Sequence, residues 1–180
     1  MNNIIFITGM AGSGKSTVGR LVANHFPKCL FIQVDELREK MVKGYARPKG
    51  GLFTEEVIQQ FQMARSTAIY MARLYTSERV DVVIDDVCVP ANFVEQYAAL
   101  FDLPGVHRVL LHPKASIVIE RIEQRGGPWE HINYVPAIYR YLDAMSKDGW
   151  IVLDSSEWTV EQTVNELLSK IGAVPGNIQS

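Results

Sequence analysis

Apolar and polar positions along the chain follow two periods that take turns. Ile4-Ile5-Phe6-Ile7-Thr8 is a short, continuous, β-branched run, the composition of a strand buried on both faces of a parallel sheet. Segments at residues 29–34, 80–84, 106–111 and 149–153 are read as four more strands. Between them the spacing changes to three and four. Val18, Leu21, Val22 and Phe26 form one stripe, closed by Pro27. Val57, Phe61, Ala64, Ala68, Met71 and Tyr75 form another, predicting a long helix from Thr54 to Ser77 with Glu55 and Glu56 in its first turn. A short helix is expected at 36–42. Pro90 opens a further one carrying Phe93, Tyr97, Leu100 and Phe101. Pro113 precedes a helix with Val118 and Ile122 inward, and Val135, Ile138, Leu142 and Met145 are in register over 135–146. The last stripe is Val160, Val164, Leu167, Leu168 and Ile171. It is opened by the capping box Thr159-x-x-Gln162 and stopped by Gly172. Strands and helices alternate throughout, so the fold class is α/β, a three-layer sandwich with a parallel sheet covered on both faces.

The punctuation of this pattern carries the chemistry. The first strand runs into Gly9-Met10-Ala11-Gly12-Ser13-Gly14-Lys15-Ser16, which fits G-x-x-x-x-G-K-[ST] at every fixed position and opens a helix. Backbone N–H groups of such a loop wrap a phosphate, and side chains there would obstruct it. The helix start aims its amides and dipole at the anion. Lys15 reaches the β- and γ-phosphates as a point charge, and the Ser16 hydroxyl ligates Mg²⁺. Gly9, Gly12, Ser13, Gly14, Lys15, Ser16 and Thr17 are therefore the expected nucleotide-binding residues.

Two other strands end in acid. Val82-Val83-Ile84 delivers Asp85 and Asp86, an apolar strand that brings a carboxylate to the rim where a phosphate-bound metal sits. Asp85 is the expected metal ligand beside Ser16, or a turn acid; spacing does not separate its role from that of Asp86. Asp35 follows the second strand. Ligands of open α/β sheets lie beyond the carboxyl ends of the strands, so Lys15, Asp35 and Asp85 converge on one rim. There Asp35 can accept the proton of an incoming hydroxyl, or cap the next helix. Arg121 and Arg125 share a helix face just before Gly126-Gly127-Pro128, a cation pair beside a hinge, suited either to phosphates or to a solvated face with Glu120 and Glu123. Arg38, Arg47, Lys49 and Arg65 are candidates for the acceptor side, with an ordinary surface position as the alternative for each. Trp150 is expected in the core. Trp129 falls in the segment after Arg125, and Trp158 in the loop after the last strand, near where a purine would lie. His25, His107, His112 and His131 have no metal-ligand spacing.

Composition narrows the partners. The 180 residues are 47% apolar and 21% charged, which is globular composition and excludes disorder. With 18 Lys+Arg against 20 Asp+Glu, the formal charge of −2 lacks the basic footprint of a general nucleic-acid binder. Cys29 and Cys88 form neither a disulfide framework nor a zinc site and are expected as reduced thiols. No apolar run approaches the ~18 residues of a membrane span. Met1-Asn2-Asn3 lacks a basic leader region, so a cytoplasmic location is expected.

These motifs together resemble the small P-loop kinases of the nucleoside-monophosphate-kinase fold. Val34-Asp35-Glu36-Leu37-Arg38-Glu39 with Ile84-Asp85-Asp86-Val87 is most similar to the chloramphenicol phosphotransferase-like group, over residues 3–172. The resemblance implies a five-stranded parallel sheet of order 2-3-1-4-5, and one domain at 1–172 with a tail at 173–180. Within the domain it implies an acceptor region at about 36–78 and a lid at about 126–136. It implies ATP and Mg²⁺ as donor and cofactor, and transfer of the γ-phosphate to a hydroxyl of a small molecule. Asp35 would then be the base, Arg121 would pack on adenine and Arg125 would reach phosphate. Shikimate-type kinases carry Asp-x-Asp after the second strand, whereas Leu37 holds the third position here. A nucleoside or nucleotide kinase, with Arg38, Arg47 and Arg65 clamping an acceptor phosphate, is the alternative. A nucleotide-dependent switch ATPase is a more distant one.

Overall fold

In the computed structural model, residues 2–48, 53–90, 92–126 and 129–173 are described, without the side chains of 129–131. Five strands form a single parallel sheet: β1 (Ile4–Gly9), β2 (Cys29–Gln33), β3 (Asp81–Asp85), β4 (Val106–Leu111) and β5 (Ile151–Leu153). Their order is β2-β3-β1-β4-β5. The continuous apolar runs are explained by what covers them. Ile5 and Ile7 face one layer with Val18, Val22, Val164, Leu167 and Leu168. Ile4 and Phe6 face the opposite layer with Ala64, Ala68, Tyr97, Leu110, Leu142 and Trp150. Successive residues of β1 thus meet different helices, and all six are buried. Phe6 anchors an aromatic cluster, with ring centroids 4.5 Å from Tyr97, 5.3 Å from Phe101 and 6.0 Å from Trp150.

The helices are α1 (Lys15–His25), α2 (Val34–Glu39), α3 (Glu55–Ser77), α4 (Phe93–Gln96), α5 (Ala98–Phe101), α6 (Ala115–Gln124), α7 (Trp129–Met145) and α8 (Val160–Lys170). Thr54 caps α3 by accepting from the Val57 amide, and the Thr159–Gln162 capping box forms in both directions.

Several expectations need correction. β2 stops at Gln33, and Val34 and Asp35 already belong to α2, so Asp35 sits in a helical first turn rather than at a strand end or cap. The helix expected after Pro90 is two short ones, broken at Tyr97, whose φ of −100° and ψ of 3° interrupt the ladder. Tyr75 on α3 and Val160 on α8 are exposed rather than inward. α7 begins at Trp129 and runs through Pro136, well before the periodic residues start. Most of the span expected as a lid is therefore helical. Gly127 and Pro128 lie outside the described residues, as do Lys49 and tail residues 174–180. Cys88 is buried and Cys29 half-buried, and both are free thiols. Among the described residues, no helix is long and apolar enough to cross a membrane.

Candidate functional site

The loop between β1 and α1 is set by its glycines. Gly9, Gly12 and Gly14 take φ of 151°, 85° and 98°. A Cβ on Gly9 would fall on the Leu111 carbonyl oxygen and 2.7 Å from the Ser13 hydroxyl, so the turn closes only with glycine there. The result is a concave loop whose Lys15 is 7% exposed, its ammonium donating to the Met10 carbonyl at 3.1 Å. The Ser13 hydroxyl is buried with no partner. An unpartnered hydroxyl, a held ammonium and the start of an eleven-residue helix together form a cradle for a phosphate-sized anion.

β3 pairs directly with β1, with Asp85 opposite Ile7. This register brings Asp85 to the loop, where its Oδ2 accepts from the Ser16 hydroxyl at 2.5 Å. Burial pushes the Asp85 carboxyl above the ordinary range, opposed by the charge of Lys15 and the Ser16 hydrogen bond. A hydroxyl and a carboxylate side by side next to a phosphate cradle are hard oxygen donors that fit Mg²⁺, which takes few protein ligands and completes its shell with phosphates and water. Among the described residues, no group of three or more His, Cys, Asp or Glu could hold a metal ion by itself.

The structure separates the two acids that spacing left together. Asp86 turns the opposite way and binds Arg65, with Nε to Oδ2 at 2.6 Å and both side chains 0% exposed. Burial drives its carboxyl up to about 6, opposed by the charge and the hydrogen bond of Arg65. Arg65 also donates to Gln96 Oε1 at 2.8 Å and to the Val89 carbonyl at 2.7 Å, which ties α3 to the segment after β3. Arg65 was expected either on the acceptor or on the surface; it is an internal brace. Arg38 is likewise buried. It donates to the Ala46 carbonyl at 3.0 Å, meets Asp35 at 3.4 Å and lies 3.7 Å above the Phe61 ring. The helical spacing of α3 did hold the signal for Arg65, since residues 61, 64, 65 and 68 share its inner face. A single arginine among apolar residues on a buried stripe needs an acid partner, which the structure shows to be Asp86.

Asp35 is half-exposed, and its charge acts on both Asp85 and Asp86. Lys15, Ser16, Asp85 and Asp35 thus meet at one rim. On the other side of the loop lies a cavity of about 160 Å³, lined by Gly12, Ser13, Gly14 and Thr17, by Arg121 of α6 and Arg125 at its C-cap, and by Ser155, Trp158 and Val160. The cation pair read from its i, i+4 spacing therefore faces the phosphate loop. Trp158 supplies a flat apolar wall for a ring, and Val160 is exposed because it borders this cavity. The two walls are fastened together: the Lys114 amide donates to Ser156 Oγ at 2.6 Å, and the Lys114 ammonium donates to Glu157 at 2.9 Å. Trp129 and His131 of the expected lid have no described side chains. His112 binds Asp143 at 2.7 Å, and His107 lies 3.3 Å from Asn3 Oδ1.

The family described as AAA domain matches residues 4–139, and the chain belongs to it. Solved structures match over nearly the whole chain. A sugar kinase from a Janibacter species is 22% identical with a TM-score of 0.69, covering 97% of both chains. The tunicamycin resistance protein of Deinococcus radiodurans is 15% identical with a TM-score of 0.67, covering 98% of this chain and 100% of its own. A shikimate kinase from Bacteroides thetaiotaomicron is 21% identical with a TM-score of 0.67, covering 94% and 98%. No curated protein matches by sequence. The P-loop kinase fold, with strand order 2-3-1-4-5, is the one that the family resemblance implied.

Proposed function

We propose that this AAA-domain chain is an ATP-dependent phosphotransferase that moves the γ-phosphate to a hydroxyl of a small molecule. The observation that carries the reading is the placement of a third carboxylate. Ser16 and Asp85 are engaged with each other at the phosphate loop and Asp86 is neutralised by Arg65, while Asp35 remains half-exposed at the same rim. A half-exposed carboxylate at this rim, apart from the metal ligand, can accept the proton of an incoming hydroxyl. Neighbours titled as sugar and shikimate kinases support the same reading.

In this reading Ser16 and Asp85 hold Mg²⁺, which neutralises phosphate charge when bound. The loop amides and Lys15 fix the β- and γ-phosphates. Arg121 and Trp158 enclose the adenine, and Arg125 reaches the phosphates. Asp35 orients the acceptor hydroxyl and takes its proton as the new O–P bond forms and the bond to the β-phosphate oxygen breaks, releasing ADP. Catalysis is positioning plus charge stabilisation. The similarity of residues 34–39 and 84–87 to the chloramphenicol phosphotransferase-like group supports an antibiotic-like or metabolite acceptor.

The test is ADP release from ATP and Mg²⁺, first without acceptor, then with hydroxylated metabolites, antibiotics, nucleosides and nucleotides. Stimulation by one class, with a mass gain of one phosphate on that compound, is expected. Steady hydrolysis that no acceptor changes, and that rises on oligomerisation, would favour a switch ATPase instead.

A further inference from the structure

We infer that the outer face of α3 pairs with the same face of a second copy of this chain, the two helices running antiparallel about a two-fold axis between Thr67 and Tyr70; this pairing does not depend on the kinase reading above. α3 buries one stripe against the fold, built on Phe61, Ala64, Arg65 and Ala68. A helix with one buried face ordinarily carries charge on the opposite one. Here the sixteen residues from Val57 to Ala72 include a single charged side chain, Arg65, and it turns inward onto Asp86. What the segment exposes is Gln59, Gln62, Met63, Ser66, Thr67 and Tyr70. Met63, Tyr70 and Leu74 are large apolar side chains that stand 48%, 68% and 46% exposed. With Thr67 and Ser77 they follow steps of four, three, four and three, the seam spacing of paired helices. Missing charge combined with exposed Met and Tyr is the composition of an interface core, not of a solvated face.

The charges at the two ends of the helix choose the occupant. Glu55 and Glu56 stand in its first turn, and Arg73 and Arg79 lie at its far end. Arg73 is held by the Ala99 carbonyl at 3.0 Å. Glu56 and Arg79 are exposed and, among the described residues, make no ion pair within the chain. A parallel pair would set Glu56 against Glu56 and Arg79 against Arg79. An antiparallel pair sets Met63 opposite Leu74 and Thr67 opposite Tyr70, with Glu78 opposite the uncharged Gln59. It also brings Glu56 of each copy toward Arg79 of the other, with the two helix dipoles opposed. The contact is isologous, so it closes at two copies. α3 has 23 residues and is about 34 Å long, and two such faces cover on the order of 1,000 Å² in all. That is the size of a weak, reversible interface, with a Kd on the order of 10 µM.

The experiment is sedimentation velocity of the full chain from about 1 to 300 µM, a range that brackets this Kd. The mass should rise from 20.2 kDa toward twice that value. Tyr70→Glu should raise the Kd at least about tenfold and, because the side chain is exposed, leave the Tm within about 2 °C of wild type. Glu56→Arg and Arg79→Glu should each weaken the dimer about three- to tenfold, and the two together should restore it. Disulfide trapping reads the orientation separately. On mild oxidation, Met63→Cys mixed with Leu74→Cys should give a covalent dimer, and Met63→Cys alone should not. A mass that stays at 20.2 kDa over the whole range would overturn the inference and leave the face to a different partner. A dimer that Tyr70→Glu leaves intact, or that Met63→Cys alone traps, would overturn it too.

Discussion

Asp86→Ala is the substitution whose cost the structure defines most closely. It removes the partner of a guanidinium that is 0% exposed, and with it the acceptor of the Val87 amide at 2.8 Å. Arg65 cannot turn to water, because Phe61, Phe93 and Tyr97 surround it at 4.8–5.8 Å. Breaking a buried pair by deleting one member costs about 3–5 kcal/mol. At ~2.1 cal/mol/K per residue, unfolding 180 residues carries about 0.38 kcal/mol/K of entropy, so the melting point should fall by about 8–13 °C. Asp86→Asn keeps an acceptor for the Val87 amide but loses the charge, and should cost roughly half as much. Calorimetry with a urea titration separates a stability change from a change in the unfolded state. A shift below about 3 °C for Asp86→Ala would mean that Arg65 finds water or another partner, and the assignment of Asp86 as a brace would fail.

Three further outcomes follow from the same geometry. Gly9→Ala should be far more costly than Gly44→Ala, which meets nothing within 4 Å and should lose only the ~1–2 kcal/mol of a left-handed residue; urea midpoints compare them. Burial pushes both Cys29 and Cys88 thiols up to about 12, so at pH 8 a thiol reagent should modify the folded protein on the order of 10³ slower than the urea-unfolded chain. Rapid labelling of either cysteine in the native state contradicts that environment. Trp158→Ala should weaken ATP binding by the ~1–3 kcal/mol of a lost stacking platform, a roughly 5- to 150-fold rise in Kd by calorimetric titration, with Trp158→Phe retaining most of it. Unchanged affinity would place the base elsewhere.

What was legible in the sequence divides along a physical line. The phosphate loop, all five strands and the Arg121–Arg125 pair could be read because each is specified locally, by backbone conformation or by a repeat of two or three to four residues. β4 was read to the residue, with Val106 and the apolar triplet Val109-Leu110-Leu111 marking its ends. The start of α7 escaped because only Ile132 extends the inward stripe before Val135, and Pro136 reads as a break although a helix can carry one. The roles of Asp85 and Asp86 escaped for a different reason. Neighbouring residues on a strand point to opposite faces, so one meets Ser16 and the other Arg65, and the partner of each lies across the fold. Arg38 escaped because an arginine beside three acids at 35, 36 and 39 reads as solvated, while an aromatic face and a carbonyl from the next loop are what cover it.

The account turns on Asp35, and its most direct test is Asp35→Asn. The substitution removes the charge of a half-exposed carboxylate and keeps an oxygen to accept from Arg38, its partner at 3.4 Å. With the best acceptor from the panel, the account predicts that phosphate transfer falls by about 10²–10⁴-fold, the range ascribed to a general base, while the Kd for ATP with Mg²⁺ and the melting point stay near wild type. Transfer at the wild-type rate by Asp35→Asn would contradict the account and take the third carboxylate out of the mechanism.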